Sequence, residues 1–360
     1  MSTQTRETVS RLLGSPWLRP LNDRDAIDDL LVQVHPTWSL GRIKARVLEI
    51  REETPDVRSF VLRPNRRWPG FVAGQHVTVA LEIRGVRHHR TYSLSSAPAD
   101  RFLRLTVKRH VGGRVSSALH EQLAVGDVLV LSPPAGEFVL PPVPPRRLLL
   151  LSAGSGVTPV MSMLRDLHHR APDRDIVFVH ICRTPADAIF ASELGALAAS
   201  MRAVRLVTHV TAEQGRLDAG GIAALLPDYA ERATWLCGPA SFMEMVQARW
   251  DGEGLGERVA CERFSDAGAP RRAAGVPVQV RATRSNRCFT TTGERPLLVE
   301  AEAAGLAPKY GCRIGICRTC RCRMTSGTVE NLRTGKLTSE PGQLIQLCIS
   351  AARSDLRLEL

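Results

Sequence analysis

The stretch YGCRIGICRTCRCRM at residues 310–324, followed by LIQLC at 344–348, contains Cys312, Cys317, Cys320 and Cys348. Three thiols spaced C-x4-C-x2-C can wrap one loop around a compact inorganic core, and a remote fourth closes it from another element. This is the plant-type [2Fe–2S] pattern. Gly311 and Gly315 permit tight turns that let backbone N–H groups face the sulfur atoms, whose negative charge a dry site could not otherwise hold. Structural zinc is the competing reading. Zinc sites usually pair two close cysteines with two other close ligands, whereas here three come together and no histidine follows His209. The spacing therefore predicts an iron–sulfur cluster held by these four cysteines.

Working outward, a chain of 360 residues exceeds one ordinary core and implies two or three domains. The other five cysteines, Cys182, Cys237, Cys261, Cys288 and Cys322, form no regular disulfide framework, which suits a reducing compartment. Cys322 reads as a spectator thiol able to replace a lost ligand, and Cys182, Cys261 and Cys288 as core residues. The opening MSTQTRETVSRLLGSPW lacks the charged-then-apolar design of a secretion signal, and the most apolar run, LLLLSAGSGVTPVMSML, is broken by glycines and a proline. A soluble, cytoplasmic, monomeric protein without a membrane span is expected.

The net charge of +12 is carried by arginine, since only Lys44, Lys108, Lys309 and Lys336 are lysines. Such a balance suits an acidic partner or an anionic lipid surface. Nucleic acid is not expected as a partner, because the arginines are dispersed and no aromatic-interleaved motif accompanies them. Arginine bias from genome composition explains the charge equally well.

Residues 1–40 read as an arm in which NDRDAIDDLLVQV forms a short helix capped by Asn22 or Asp23. Over 41–145, alternating runs such as ARVLEI, VRSFVL, HVTVALEI, LRLTV and DVLVLS are split by Pro and Gly turns, the signature of an antiparallel β-barrel. After PPVPP, residues 146–264 alternate strands (IVFVHI, RLVTHV) with helices and predict a parallel α/β sheet. SDAGAPRRAAG, residues 265–275, is a linker whose coil would span about 20 Å. Residues 276–360 hold the cluster motif.

The barrel segment carries RTYS, residues 90–93, and about twenty residues later the turn Gly112-Gly113-Arg114-Val115-Ser116. Together these suit a flavin. Arg90 can pair with a phosphate, Tyr92 offers an aromatic face to the ring, and the Ser93 hydroxyl can hydrogen-bond its reactive edge. The glycine turn opens a helix at SSALHEQL, which makes an anion site at its N-terminus. Downstream, Leu149–Pro159 reads strand, glycine turn, helix. Gly154 and Gly156 allow a nucleotide phosphate to approach backbone amides there, although the spacing departs from G-x-G-x-x-G.

RTYS, Gly113-x-x-Ser116, GSGVTP, CGP and the cysteine loop, in this order, resemble the ferredoxin–NADP reductase superfamily with a C-terminal ferredoxin domain, over roughly residues 41–360. The resemblance implies a β-barrel flavin domain, an α/β nucleotide-binding domain and an α+β ferredoxin-type (β-grasp) domain. It assigns Arg90 to flavin phosphate, Ser93 to N5, Tyr92 to ring stacking, and Gly113 and Ser116 to a pyrophosphate, which favours FAD over FMN. Thr158, Cys237 and Gly238 would then lie beside the nicotinamide, with Glu262 and Phe264 of CERF near the flavin. For the nucleotide, an acidic group after the second strand would bind a ribose 2′-OH, whereas arginine accommodates a 2′-phosphate. Arg183 stands at that strand end, Asp187 lies further on and Arg216 can reach the same place. NADPH is favoured over NADH.

An electron-transfer enzyme is expected, passing hydride from NAD(P)H to FAD and single electrons through the cluster to a separate acceptor. Within the family, the segment from His35 to Val77 looks most like reductase partners of membrane fatty-acid desaturases and related di-iron hydroxylases. This implies contact with the inner membrane face through the partner. Reductases of Rieske-type ring- or steroid-hydroxylating oxygenases share the three modules and are the alternative. A non-catalytic redox sensor is a third reading, which complete flavin and nicotinamide motifs oppose.

Overall fold

The computed structural model describes residues 28, 31, 34–83, 86–264, 275–310, 313, 315 and 319–360. From Ile43 onward, side chains alternate between apolar and polar, and six strands result: β1 (Ile43–Thr54), β2 (Val57–Pro64), β3 (His76–Ile83), β4 (Val86–Ser93), β5 (Leu103–Lys108) and β6 (Val128–Leu131). They form an antiparallel sheet in the order β4-β3-β6-β1-β2-β5. A bridge between Leu94 and Leu105 joins the two ends and closes the barrel. Every second residue points inward, so Ala45, Val47, Phe60, Leu62, Val77 and Val79 share one core. Helix α1 (Arg114–Glu121) lays Val115 and Leu119 on that core.

The second module runs β7 (Arg147–Ala153), α2 (Val157–Arg170), β8 (Asp175–Cys182), α3 (Ala191–Ser200), β9 (Val204–Val210), α4 (Thr211–Gln214), α5 (Ala219–Leu225), β10 (Ala233–Cys237), α6 (Ala240–Gly252) and β11 (Val259–Glu262). All pairings are parallel, in the order β11-β10-β7-β8-β9. The four-leucine run Leu148–Leu151 is fully buried because helices cover both faces, Leu148 and Leu150 facing one core and Leu149 and Leu151 the other. Each such side chain stabilises by about 1.5–3 kcal/mol relative to exposure.

Helix α2 also fixes this module to the barrel. Ser162 Oγ donates to the Ser96 carbonyl at 2.6 Å, and the buried Arg165 guanidinium donates to the Ser95 carbonyl. Arg165 pairs at 2.7 Å with Glu193, which in turn pairs at 2.8 Å with Arg104 of β5. Burial lowers the Arg165 pKa to about 10, so it stays charged at neutral pH and holds the bridge.

The third module comprises β12 (Val278–Ala282), β13 (Arg287–Thr291), α7 (Leu297–Ala303), β14 (Arg321–Ser326), β15 (Val329–Asn331), β16 (Leu337–Thr338), β17 (Leu344–Gln346), β18 (Ser350–Ala352) and β19 (Leu356–Leu358). Its mixed sheet has the order β13-β12-β19-β14-β17, with β12 and β19 parallel. Leu297 and Leu298 of α7 pack on Val280, Leu347 and Leu356, the α+β arrangement expected.

Some expectations meet a different outcome. Cys288 is exposed on β13, which presents that face to solvent, while Cys261 is half-buried at the margin of a core and Cys182 is buried. Of the arm helix, residues 28, 31 and 34 are helical, while its caps Asn22 and Asp23 lie outside the described residues, as do linker residues 265–274. Asp28 accepts from Ser39 Oγ and from the Leu40 N–H, both at 2.5 Å, and so tethers the arm's end. Among the described residues, no helix is long and apolar enough to cross a membrane.

Candidate functional site

A cleft of about 360 Å³ opens between barrel and parallel sheet. It brings together Arg90, Tyr92 and Ser93 of β4, Gly113 and Ser116 at the start of α1, Thr158 at the start of α2, and Phe264. The register explains the polar groups behind Ser93: Ser93 of β4 lies opposite His76 of β3, which with Glu262 lines a neighbouring cavity. Glu262, at the end of β11, reaches between them, Oε2 accepting from Ser93 Oγ at 3.4 Å and Oε1 standing 3.2 Å from His76 Nδ1. Glu262 and His76 are buried, and His76 Nε2 meets no polar partner among the described residues. Sequence reasoning missed His76; its place in the inward register of HVTVALEI was the available signal.

The cleft fits a flavin. Burial away from water drives the Tyr92 phenol well above its ordinary pKa, opposed by the Arg90 charge, so the ring presents a neutral aromatic face. Ser116 Oγ accepts from the His110 N–H at 3.1 Å and donates to the Gly113 carbonyl at 3.2 Å, closing the turn. The first N–H groups of α1 are left for an anion, as at any helix start.

Where β7 ends, Gly154 (φ +54°) begins a single 3-10 turn that leads into α2. Gly156 is required by close approach: a Cβ there would lie 2.2 Å from the Cys237 carbonyl oxygen and 2.7 Å from the Gly238 nitrogen. Thr158 Oγ1 donates to the Ser155 carbonyl at 3.0 Å. Cys237 is fully buried; burial, then the Glu262 charge, pushes its thiol well up, so it is a neutral wall and not a nucleophile. The cradle suits a nicotinamide nucleotide, with backbone amides facing its phosphates.

At the edge of the same sheet, Asp187 is committed to its own turn, accepting from the Thr184 N–H at 3.0 Å and hydroxyl at 2.7 Å. Arg183 is exposed beside it. The Ala212 N–H donates to the Arg183 carbonyl at 2.9 Å, so the segment that leads to the exposed Arg216 passes beside Arg183.

In the third module, Cys320 and Cys348 are buried against Leu297, Leu347 and Ile349, while Cys312 and Cys317 lie outside the described residues. The Gly315 N–H points at Cys348 Sγ from 3.2 Å, the amide-to-sulfur bond that an anionic thiolate needs in a dry site. Gly315 holds φ +79° and a Cβ would sit 2.7 Å from Ile349 Cδ1, so the loop tolerates no side chain there. Gln346 Nε2 donates to the Gly315 carbonyl at 2.5 Å and fixes it further. These residues fit a cluster. Of the arginines in and beside the loop, Arg313 pairs with Glu302 at 2.5 Å, and Arg321 and Arg323 of β14 are exposed, Arg323 donating to the Gly342 carbonyl at 2.7 Å; Arg318 lies outside the described residues.

Comparison with known proteins agrees with this division. The family described as Oxidoreductase FAD-binding domain matches residues 44–140, Oxidoreductase NAD-binding domain 150–248, and 2Fe-2S iron-sulfur cluster binding domain 280–353. The chain is 38% identical over 339 residues to an NADPH oxidoreductase of Mycobacterium tuberculosis, covering 92% of this chain and 88% of that one. It is 32% identical to the glycine betaine monooxygenase reductase subunit of Chromohalobacter salexigens, covering 90% and 96%. Among solved structures, phthalate dioxygenase reductase superposes with a TM-score of 0.61 at 26% identity, covering 89% of this chain and 98% of that one.

Proposed function

From the premise that the chain belongs to the ferredoxin–NADP reductase superfamily and carries a C-terminal [2Fe–2S] domain, we propose how its residues serve an NAD(P)H:acceptor oxidoreductase and which acceptor it feeds. A bound FAD would supply the conversion between two-electron and one-electron transfer that a one-electron cluster requires. Ser93 orients the reactive edge of the ring and Glu262 holds the Ser93 hydroxyl in place. Tyr92 and Phe264 shield the ring from water. Arg90 and the Gly113–Ser116 turn take the flavin phosphates; Gly154, Gly156 and Gly238 seat the nicotinamide nucleotide, with Thr158 and the Cys237 wall beside it. Cys312, Cys317, Cys320 and Cys348 ligate the cluster. The 41–145, 146–264 and 276–360 boundaries describe the three working units, with residues 1–40 and 265–275 as arm and linker.

NADPH is the preferred donor. The observation behind this is Asp187, whose carboxylate is used up in its own turn, while Arg183 and Arg216 remain at the surface. Arg183→Ala or Arg216→Ala should raise the Michaelis constant for NADPH by about ten-fold or more and leave that for NADH nearly unchanged, the loss of one charge-assisted hydrogen bond. Steady-state kinetics with both nucleotides decides it, and a wild-type preference for NADH rejects the assignment.

The acceptor is a separate oxygen-activating enzyme. The named relatives that are monooxygenase and dioxygenase reductases support a Rieske-type or other oxygenase. The likeness of residues 35–77 to reductases of membrane di-iron desaturases and hydroxylases favours the narrower reading, a partner that brings this chain to the inner membrane face. Residues 276–360 hold thirteen Arg or Lys against seven Asp or Glu. Four of those acids, Glu300, Glu302, Glu330 and Glu359, each pair with an arginine of the module, so the excess of positive charge is carried by the remaining arginines and lysines and suits an acidic acceptor. Cluster-to-acceptor transfer in reconstituted mixtures should slow steeply as salt rises through about 0.1 M, where the screening length is ~10 Å. Purified desaturase and Rieske oxygenase should be compared directly as acceptors; a salt-independent rate with either removes the steering argument.

A further inference from the structure

We propose that the ferredoxin module completes the FAD site, holding the adenylate half of the dinucleotide between itself and the barrel. The inference rests on the flavin reading above and assigns Lys309, Tyr310 and Arg313 a role outside the cluster. A second cavity, of about 780 Å³, adjoins the flavin cleft and shares Arg90, Gly113 and Arg114 with it. Its far wall comes from the ferredoxin module: Lys309, Tyr310 and Arg313.

The two cavities differ in what they can take. Tyr92, Ser93 and Phe264, the groups assigned to the ring, and Thr158 beside them line only the first. At about 360 Å³ it lies near the lower limit for one drug-sized ligand, enough for a ring and its ribityl chain but not for a second nucleotide. The shared residues are Arg90 of β4 and the turn at the start of α1, the groups assigned to the flavin phosphates, so a dinucleotide that leaves the ring pocket past them enters the second cavity.

The chemistry there suits an adenosine phosphate. Arg90, Arg114 and Lys309 bring three cations, and among the described residues no carboxylate lines the cavity. Lys309 is exposed and ion-pairs with no carboxylate among the described residues. Arg313 is anchored by the Glu302 carboxylate at 2.5 and 2.9 Å and lies 3.8 Å from the Tyr310 ring centroid, which holds the aromatic face in place as a platform for a purine. A nucleotide seated there would join barrel to ferredoxin module, holding the cluster loop beside the flavin.

Equilibrium titration of flavin-free, cluster-loaded full-length protein with FAD and with FMN tests this, because FMN lacks the adenylate. Lys309→Glu and Tyr310→Ala should each weaken FAD binding by about ten-fold or more while FMN affinity stays within about two-fold of wild type. Unchanged visible absorption of the cluster in both variants shows that the module still folds. Equal losses for both flavins, no loss for either, or a change confined to the Michaelis constant for NADPH overturns the proposal. A wild-type protein that binds neither flavin would instead remove the flavin reading itself.

Discussion

Cys348→Ser and Cys320→Ser should each strip the protein of its iron and sulfide and abolish electron delivery to its oxygenase, while NADPH-driven reduction of ferricyanide continues. Both thiols are buried on one apolar core, and the Leu347 N–H donates to the Cys320 carbonyl at 3.1 Å, so the segment holding the fourth ligand is laced to the ligand loop. A serine at either place loses a soft thiolate, and with it the cluster. Cys312→Ser and Cys317→Ser should behave alike. Cys322→Ser should not, because Cys322 sits on β14 opposite Ile345, one strand position beyond the loop, with its thiol in the core. Gly315→Ala is the companion test: at φ +79° it strains the backbone and drives a methyl into Ile349, displacing the amide that faces Cys348. Iron and sulfide analysis reads all of these. Complete loss on changing Cys322 alone would reassign the ligands.

Gly156→Ala should lower kcat/KM for NADPH by about a hundred-fold or more while the flavin stays bound, a barrier increase of roughly 2.7 kcal/mol or greater. The added methyl meets backbone, the Cys237 carbonyl at 2.2 Å, and backbone cannot turn aside as a side-chain tip can. Either the glycine turn lifts from β10 or the end of β10 moves, and both deform the cradle that seats the nucleotide beside Thr158. Flavin absorbance reports the barrel independently, since the barrel's own core lies in the preceding hundred residues or so of the chain. Near-normal turnover with NADPH would show that the nucleotide approaches elsewhere.

The fold was legible where a pattern had one physical meaning. Alternation from Ile43 to Leu131 could only suit a half-buried antiparallel sheet, and the unbroken Leu148–Leu151 run suited a parallel strand covered on both faces. The cysteine spacing and Gly315 pointed at the cluster for the same reason. What stayed hidden depends on contacts between distant segments. His76 and Glu262 are separated by 186 residues, and nothing in either neighbourhood announces their meeting at 3.2 Å. The Arg104–Glu193–Arg165 bridge and the shared wall of Lys309 and Arg114 are likewise products of how the modules dock. Cys288 was misplaced because cysteine's general preference for burial says nothing of which strand face is covered.

The central claim is an ordered passage of electrons from NADPH through the flavin to the cluster, and anaerobic stopped-flow absorbance on the intact protein tests it most directly. Mixed with NADPH, wild type should bleach at the flavin first and at the cluster second. Cys348→Ser should show the first phase unchanged and no second phase. Cluster reduction by NADPH in protein freed of flavin, or a flavin that reduces while an intact cluster remains oxidised, would contradict the account.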